Sequence, residues 1–206
     1  KITKNNKSKI TNVAYGNYLL SRYEKKEKNY EKELGYLIKG HKCFFDSRKK
    51  KFELGVKYCF DDVLQINEKA KVSKSDKNDA REIKPIFIVG VPRCGSTLIE
   101  KVIASGGKQV SEGEETGIFH SFAKDIINKN KLSILDINNL RSKIFEKYSQ
   151  KGLIQEKNEY TFTDKSLENF FYVGLIKEIF PKAKVIHCKR NTLSSIISII
   201  KNNLVE

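Results

Sequence analysis

Residues 84–97, KPIFIVGVPRCGST, decide the fold of this chain. Residues 85–89 form a continuous apolar run between a charged segment and a glycine-containing turn, a pattern typical of a buried parallel strand. The turn leads directly into a helix whose apolar residues recur at helical spacing: Leu98, Ile99, Val102 and Ile103. A strand, a glycine loop and a helix start direct backbone N–H groups and the positive end of a helix dipole at an anion. The segment therefore predicts a phosphate-binding loop.

The spacing of this loop is close to that of a Walker A motif, G-x-x-x-x-G-K-[ST]. Ser96, however, stands where the motif has its lysine. The cation of the loop is instead Arg93. Because the lysine that grips the phosphates is absent, we expect a phosphate site that is not of the nucleoside-triphosphatase kind.

The composition is strongly basic. The chain has 206 residues and a net charge of +15, from 40 Lys and Arg against 25 Asp and Glu. Such a balance is compatible with a nucleic acid, an anionic membrane surface or an acidic small molecule. Arginine, the residue that reads bases, is scarce, and the lysines are spread along the chain. The scarcity of arginine and the even spread of lysine favour a general compositional bias toward lysine, together with an anionic ligand, over a nucleic-acid-binding surface. We expect neither a nucleic-acid nor a membrane partner.

The sequence starts with lysine and contains no methionine, so we treat it as a fragment. Its length suffices for one sizeable domain or for a domain with a small appendage. The four cysteines show no paired spacing, and the sequence given has no signal peptide and no apolar run of membrane-spanning length. We therefore expect a cytoplasmic protein.

The first part of the chain is predicted to be helical. Residues 10–58 carry apolar side chains at helical spacing, interrupted by Gly35 and Gly40. Residues 17–44 resemble one diverged tetratricopeptide repeat, although Glu33 stands where that family usually has alanine. A plain helical hairpin is the alternative. We expect a helical, tetratricopeptide-like region over residues 1–68 and a polar linker over residues 69–84.

The rest of the chain alternates between predicted strands and helices. After the first strand and helix we expect a very short strand at 109–110 and helices at 116–129 and 133–151, the second capped by Asp136. A strand at 159–163, a helix at 167–180, a buried strand at 184–188 and a helix at 192–203 follow. This alternation predicts an α/β, P-loop-like three-layer domain with a parallel sheet over residues 85–206, incomplete at its C-terminus.

A second strand-to-helix junction follows Cys188. Arg190 lies just past the strand, and Ser198 lies about two turns into the next helix. Because ligands bind at the carboxyl ends of parallel strands, both junctions are expected at one edge of the sheet. Arg190 and Ser198 could therefore hold a second phosphate, which suits the bidentate geometry of arginine. The alternative is that Arg190 is an ordinary surface residue beside a helix.

Three segments together resemble the PAPS-dependent sulfotransferase family: PIFIVGVPRCGSTLIE (85–100), GEET (113–116), and the stretch from TDKSLENFF to IISIIKNN (163–203). The resemblance is closest to bacterial tetratricopeptide-repeat proteins related to tyrosylprotein sulfotransferases. It implies that the loop binds the 5′-phosphosulfate of the donor, 3′-phosphoadenosine 5′-phosphosulfate (PAPS), and that Arg190 and Ser198 bind its 3′-phosphate. The loop residues implied in donor binding are Arg93, Cys94, Gly95, Ser96, Thr97 and Leu98.

The resemblance also implies a mechanism. An acceptor hydroxyl or amine attacks the sulfur in line while 3′,5′-phosphoadenosine leaves, without a metal ion. Glu115 is the implied base, and Glu114 is the alternative because one extra residue separates the loop from this segment. Lys165 is implied to stabilise the leaving oxygen, together with Arg93. Other interpretations are open: the carboxylates could stabilise a helix N-terminus, and Lys165 could be an exposed loop residue.

The sequence departs from the family pattern at two sites, which comprise three residues. Cys94 replaces a serine of the loop, and Ser166-Leu167 replaces a frequent Met-Pro after Lys165.

The acceptor could be a peptide, a carbohydrate, a lipid or a small molecule, and the tetratricopeptide-like region could bind a protein partner. The alternatives for the function are another P-loop enzyme, a kinase or NTPase, and a non-catalytic helical binding module.

Overall fold

The computed structural model describes residues 10–72, 83–106, 110–129, 131, 135–154 and 160–202. The chain divides into two compact units. The helical unit consists of the residues up to Lys57 and those from Asn191 onward, and the sheet unit runs from Tyr58 to Arg190. The boundaries predicted for the helical region (1–68), the linker (69–84) and the α/β domain (85–206) stay predictions.

The described helices and strands follow one another in the predicted alternation. In chain order they are α1 (Ile10–Lys26), α2 (Tyr30–Lys57), a π-helical turn (Tyr58–Asp62), α3 (Val63–Val72), β1 (Ile86–Gly90), α4 (Ser96–Ala104), α5 (Ile118–Asn128), α6 (Ile137–Gln150), β2 (Thr163–Asp164), a 3₁₀ helix (Leu167–Tyr172), α7 (Val173–Ile179), β3 (Lys184–Cys188) and α8 (Thr192–Lys201).

The helical unit is built on a hairpin of α1 and α2, and α2 continues through both Gly35 and Gly40. Tyr18 of α1 stacks on Phe44 of α2, with ring centroids 5.9 Å apart. The hydroxyl of Tyr18 also lies 3.2 Å from Nδ1 of His41. Burial, with Cys43 and Tyr15 nearby, raises the pKa of Tyr18 to about 12.

Glu33, the residue that departs from the tetratricopeptide pattern, is buried and pairs with Lys201 of α8 at 3.5 Å. The tetratricopeptide assignment stays a prediction.

The sheet unit contains the parallel sheet that was predicted. The strand order is β2-β1-β3, and β1 pairs in parallel with both neighbours. Isolated parallel bridges join Ile83 to Tyr160 and Ser111 to Phe162. The strand predicted at 159–163 overlaps β2 only at Thr163, and Tyr160 and Phe162 form the bridges. The bridge at Ser111 lies just after the strand predicted at 109–110, and residues 109 and 159 lie outside the described part. The α/β fold class is confirmed.

Both faces of β1 are buried, as its continuous apolar run predicts. Phe87 and Val89 contribute to the larger core, whereas Ile88 belongs to a second cluster with Cys94 and Cys188. The larger core is rich in aromatic rings centred on Phe180, which lies 5.1 Å from Phe145 between ring centroids. Because alternate residues of a strand point to opposite faces, one five-residue strand anchors both layers.

Two further predicted elements differ from the structure. The helix predicted over 167–180 is a 3₁₀ helix followed by α7, and Asn67 of α3 lies at their junction. Its side chain donates to the carbonyl oxygen of Phe171 at 2.7 Å and accepts from the backbone N–H of Leu175 at 2.9 Å. A tertiary side chain thus satisfies the start of α7, which local sequence does not reveal.

The strand 184–188 was predicted to be buried, and this is wrong for most of its residues. Within β3 only Cys188 is buried, and Lys184 and His187 are exposed. Among the described residues β3 pairs with β1 alone, so it is an edge strand there. An edge position leaves one side of a strand open to solvent, which hydrophobic periodicity does not predict.

The predicted cap of α6 is confirmed. The Asp136 carboxylate accepts hydrogen bonds from the backbone N–H groups of Asn138 and Asn139, at 2.9 and 3.2 Å. Replacing Asp136 by alanine is expected to destabilise the sheet unit by about 1 kcal/mol, the usual cost of losing such a cap. Urea denaturation measures this change. Asn139→Ala, on the same exposed turn, is the control, and an equal loss in both variants would contradict a capping role.

In the part of the chain that the structure describes, no helix combines the length and the apolar character that a membrane span needs.

Candidate active site

The phosphate loop joins β1 to α4, as predicted. Arg93 and Gly95 have positive backbone φ angles of 68° and 98°, so the loop turns sharply before the helix starts. Gly95 is the N-cap of α4 and supplies no side-chain cap. A Cβ atom added at Gly95 would meet no heavy atom within 4 Å, so the space beside the helix start is open. The loop thus presents an uncapped helix N-terminus next to an open space, the arrangement that binds an anion.

The loop residues divide into buried and exposed ones. Cys94 and Ser96 are buried, whereas Arg93, Gly95, Thr97 and Leu98 are exposed. The Cys94 side chain belongs to the cluster under β1 with Ile88 and Cys188. Burial, and next the neighbouring Cys94, raise the pKa of the Cys188 thiol. Cys94 therefore anchors the loop from below as a small apolar group.

The second junction meets the loop at Arg190. Nη1 of Arg190 donates a hydrogen bond to the carbonyl oxygen of Arg93, at 3.4 Å. This contact arises because β1 and β3 are adjacent and parallel, with Gly90 opposite Cys188. Ser198 lies in α8, which belongs to the helical unit. The structure thus brings Arg190 to the loop, and the pairing of Arg190 with Ser198 stays a prediction.

The acidic segment, residues 112–116, meets Lys165 in the structure. Lys165 and Glu115 are 50 residues apart in sequence. Nζ of Lys165 lies 3.4 Å from Oε1 of Glu115. The backbone N–H of Lys165 also donates to the carbonyl oxygen of Glu114, at 2.7 Å. The side chain of Lys165 is only 9% exposed, whereas that of Glu115 is 69% exposed. Lys165 is therefore not the exposed loop residue of the alternative interpretation.

Glu114 and Glu115 differ in how they are held. The backbone of Glu114 has a φ of 54°, in the left-handed region. Its N–H donates to Oε1 of Glu100 at 3.1 Å, and its carbonyl accepts from Lys165. Glu114 is therefore held by hydrogen bonds of its main chain, whereas the side chain of Glu115 lies beside Lys165.

A buried carboxylate supports this region from beneath. Asp164 is fully buried at the end of β2 and accepts hydrogen bonds from the hydroxyls of Thr116 and Tyr148, both at 2.6 Å. It also accepts from the backbone N–H of Ser166, at 2.9 Å. Burial, and next the charge of Asp164, hold the pKa of Tyr148 well above its usual value. The phenol thus remains a donor, and the residues that follow Glu115 and Lys165, Thr116 and Ser166, are both held by Asp164.

Sequence reasoning missed three polar residues here: Glu100, Asp164 and Asn169. Glu100 lies on the inward side of α4, one turn after the buried Ser96, so helical spacing would have signalled it. Asn169 lies four residues after Lys165 and is fully buried, and neither polar atom of its amide has a hydrogen-bond partner among the described residues. An orphaned buried amide costs about 1–3 kcal/mol and marks a position worth testing by mutation.

Fold and loop together define a P-loop-like α/β domain in which α4 starts without a side-chain cap and contacts a buried lysine, Lys165, through Glu100. The sulfotransferase family model matches residues 85–205 of the chain. The chain therefore belongs to the sulfotransferase family, which confirms the family resemblance. The match does not extend to the tetratricopeptide or tyrosylprotein branch.

One curated relative is similar over most of the chain. It is an uncharacterized protein of Aquifex aeolicus (strain VF5), 27% identical over 205 residues, which cover 92% of this chain and 26% of the relative. The chain thus spans about a quarter of the length of that relative. No solved structure gives a significant match.

Proposed function

We propose that this protein transfers the sulfonate group of PAPS to a hydroxyl or amine acceptor. The observation that carries the proposal is the Lys165–Glu115 pair, at 3.4 Å, in a domain that the sulfotransferase family model matches. Sulfonate transfer needs an anion site for the donor, a base for the acceptor and a cation for the departing oxygen. The described residues include a candidate for each of these tasks.

The donor fits the loop on physical grounds. The uncapped start of α4 and the open space beside Gly95 suit a doubly charged phosphosulfate. In this proposal the backbone N–H groups of residues 93–97 bind that group, since the N–H of Leu98 already donates to the carbonyl oxygen of Gly95 at 3.0 Å. The hydroxyl of Thr97 and the guanidinium of Arg93 contact its oxygens. Ser96 and Cys94 contribute through the main chain, because both side chains are buried.

The proposed chemistry assigns one task to each side chain. Glu115 accepts the proton of the acceptor while the acceptor oxygen or nitrogen forms its bond to sulfur. The bond between sulfur and the bridging oxygen of the donor breaks, and the negative charge remains on the departing phosphate. Lys165 and Arg93 stabilise that charge. Burial strengthens the contribution of Lys165, since a desolvated cation is less screened than one in water.

Arg190 and Ser198 are proposed to hold the 3′-phosphate of the donor. The hydrogen bond from Arg190 to the loop carbonyl of Arg93 supports this role, because it keeps the guanidinium next to the phosphosulfate site. A site for two phosphates selects the donor against nucleotides that carry phosphate at the 5′ position alone. We also propose a cytoplasmic location for the protein and a protein partner for its helical region.

The test of the donor site is calorimetry of the protein with 3′,5′-phosphoadenosine and with 5′-AMP. We expect 3′,5′-phosphoadenosine to bind at least about 10-fold more tightly, since charge-assisted hydrogen bonds to the 3′-phosphate contribute about 1.5–3 kcal/mol. Arg190→Ala is expected to abolish most of this difference. Lys189→Ala, at an adjacent exposed cation, is the control. Equal affinity for the two nucleotides would contradict the roles of Arg190 and Ser198.

A further inference from the structure

Glu100 is the one residue of α4 that carries a buried negative charge in the described structure. Its side chain is 1% exposed, and it follows the phosphate loop by one helical turn. Burying a carboxylate is costly unless hydrogen bonds and an opposite charge compensate it. The buried carboxylate of Glu100 therefore requires compensating contacts, and the structure provides them.

Among the described residues, the hydrogen bonds and the ion pair of the Glu100 carboxylate lead to the segments that carry the proposed catalytic groups. Oε1 accepts from the hydroxyl of Thr163 at 2.7 Å and from the backbone N–H of Glu114 at 3.1 Å. Oε2 lies 3.8 Å from Nζ of Lys165. Thr163 precedes Lys165 by two residues, and Glu114 directly precedes Glu115.

The hydroxyl of Thr163 extends this network. It donates to Glu100 and accepts from the backbone N–H of Gly113, at 3.1 Å. Three separate pieces of chain, α4, the acidic segment and the loop after β2, therefore meet at a single carboxylate. A network in which each member is hydrogen-bonded fixes its parts relative to one another.

The charges explain why a carboxylate is useful at this position. Lys165 faces two carboxylates, the exposed Glu115 and the buried Glu100. When Glu115 accepts a proton from the acceptor, it loses its negative charge. Glu100 then remains as the partner of the buried ammonium group, so Lys165 keeps its charge and its place while the transfer proceeds.

We propose that Glu100 is a positioning residue for sulfonate transfer, which holds Lys165 and the Glu114–Glu115 backbone against the helix that starts at the phosphate loop. This inference rests on the proposed function. Glu100 touches neither donor nor acceptor in this role and acts through Lys165 and the acidic segment.

The test uses Glu100→Gln, Lys165→Met and the double variant in the full protein. Glutamine keeps an oxygen for Thr163 and Glu114 but removes the charge that faces Lys165. We expect Glu100→Gln to lower kcat for transfer from PAPS by about 10- to 100-fold. The affinity for 3′,5′-phosphoadenosine is expected to stay within about threefold, since the loop is intact. Glu112→Gln, in the same segment but paired with the exposed Lys101, is the control.

The double variant separates positioning from a general loss of structure. Lys165→Met leaves the buried charge of Glu100 without its cation, and adding Glu100→Gln removes that charge. The double variant is therefore expected to have a higher Tm than Lys165→Met alone and the same activity within about twofold. Additive losses in Tm would overturn the inference. So would a Glu100→Gln enzyme as active as Glu112→Gln.

The two levels of the proposal fail in different ways. A wild-type protein that binds no 3′,5′-phosphoadenosine and transfers no sulfonate would overturn the proposed function, and with it the positioning role. The Tm comparison would still decide whether Glu100 and Lys165 are coupled. Normal transfer by the wild type together with uncoupled variants would overturn the role of Glu100 alone.

Discussion

Replacing Glu115 by glutamine is expected to lower the rate constant for sulfonate transfer by about 10²- to 10⁴-fold, because the amide cannot take up the proton of the acceptor. Glutamine has nearly the shape of glutamate, and the Glu115 side chain is 69% exposed, so folding should be unaffected. The measurement is transfer from ³⁵S-labelled PAPS, first with the wild type over a panel of phenols, tyrosine peptides and oligosaccharides, and then with the variant.

The matched control is Glu114→Gln. Glu114 is exposed like Glu115, and its two described contacts with Glu100 and Lys165 are made by its main chain, which the substitution retains. We expect less than about a 10-fold loss of activity, since the proposed base, Glu115, is retained. A large loss in Glu114→Gln with a small loss in Glu115→Gln would assign the base to Glu114 and contradict our proposal.

Replacing Gly113 by alanine is expected to destabilise the sheet unit by about 3 kcal/mol or more, the upper range for overpacked sites. An added Cβ would lie 1.9 Å from the carbonyl oxygen of Thr163 and 3.1 Å from Cδ1 of Leu153. The carbonyl belongs to β2 and cannot move without disturbing its pairing with β1, in which Ile86 is opposite Thr163. The acidic segment must therefore shift away from β2. Differential scanning calorimetry is expected to show a Tm lower by roughly 6–12 °C.

Gly55→Ala is the control that tests whether replacing any glycine by alanine would destabilise the protein in the same way as Gly113→Ala. Gly55 lies in α2, and an added Cβ there meets no heavy atom within 4 Å. Alanine is favoured over glycine inside a helix by about 0.5–1 kcal/mol, so this variant should be as stable as the wild type or slightly more stable. Wild-type stability in Gly113→Ala would show that the close approach to β2 is wrong.

Much of the site could be predicted from local sequence because its main part is local. The phosphate loop needs a strand, a glycine turn and a helix start, and all three lie within residues 84–104. The Asp136 cap was predicted for the same reason, since its partners are two and three residues away. Hydrogen bonds between neighbours in sequence leave a pattern of residue types that can be recognised directly.

Other parts depend on contacts between distant segments. The burial of Lys165 follows from its place beneath the acidic segment, 50 residues away, and from Glu100, 65 residues before it in sequence. A lysine in a polar loop has the same local pattern whether it is exposed or buried. The break between the 3₁₀ helix and α7 likewise depends on Asn67, more than 100 residues earlier.

The sequence by itself determined the class of fold, the phosphate loop and the family, because hydrophobic periodicity and the residue types of a loop are properties of short segments. Only the tertiary structure decided that Glu115 lies beside Lys165, that Arg190 bonds to the loop, and that Glu100 joins α4 to both segments. Parallel pairing of β1 with β2 and β3 produces these contacts, since it carries residues far apart in the chain to one edge of the sheet. The charge and burial of a side chain depend on these neighbours from distant parts of the chain, and the residue types of a short segment do not reveal them.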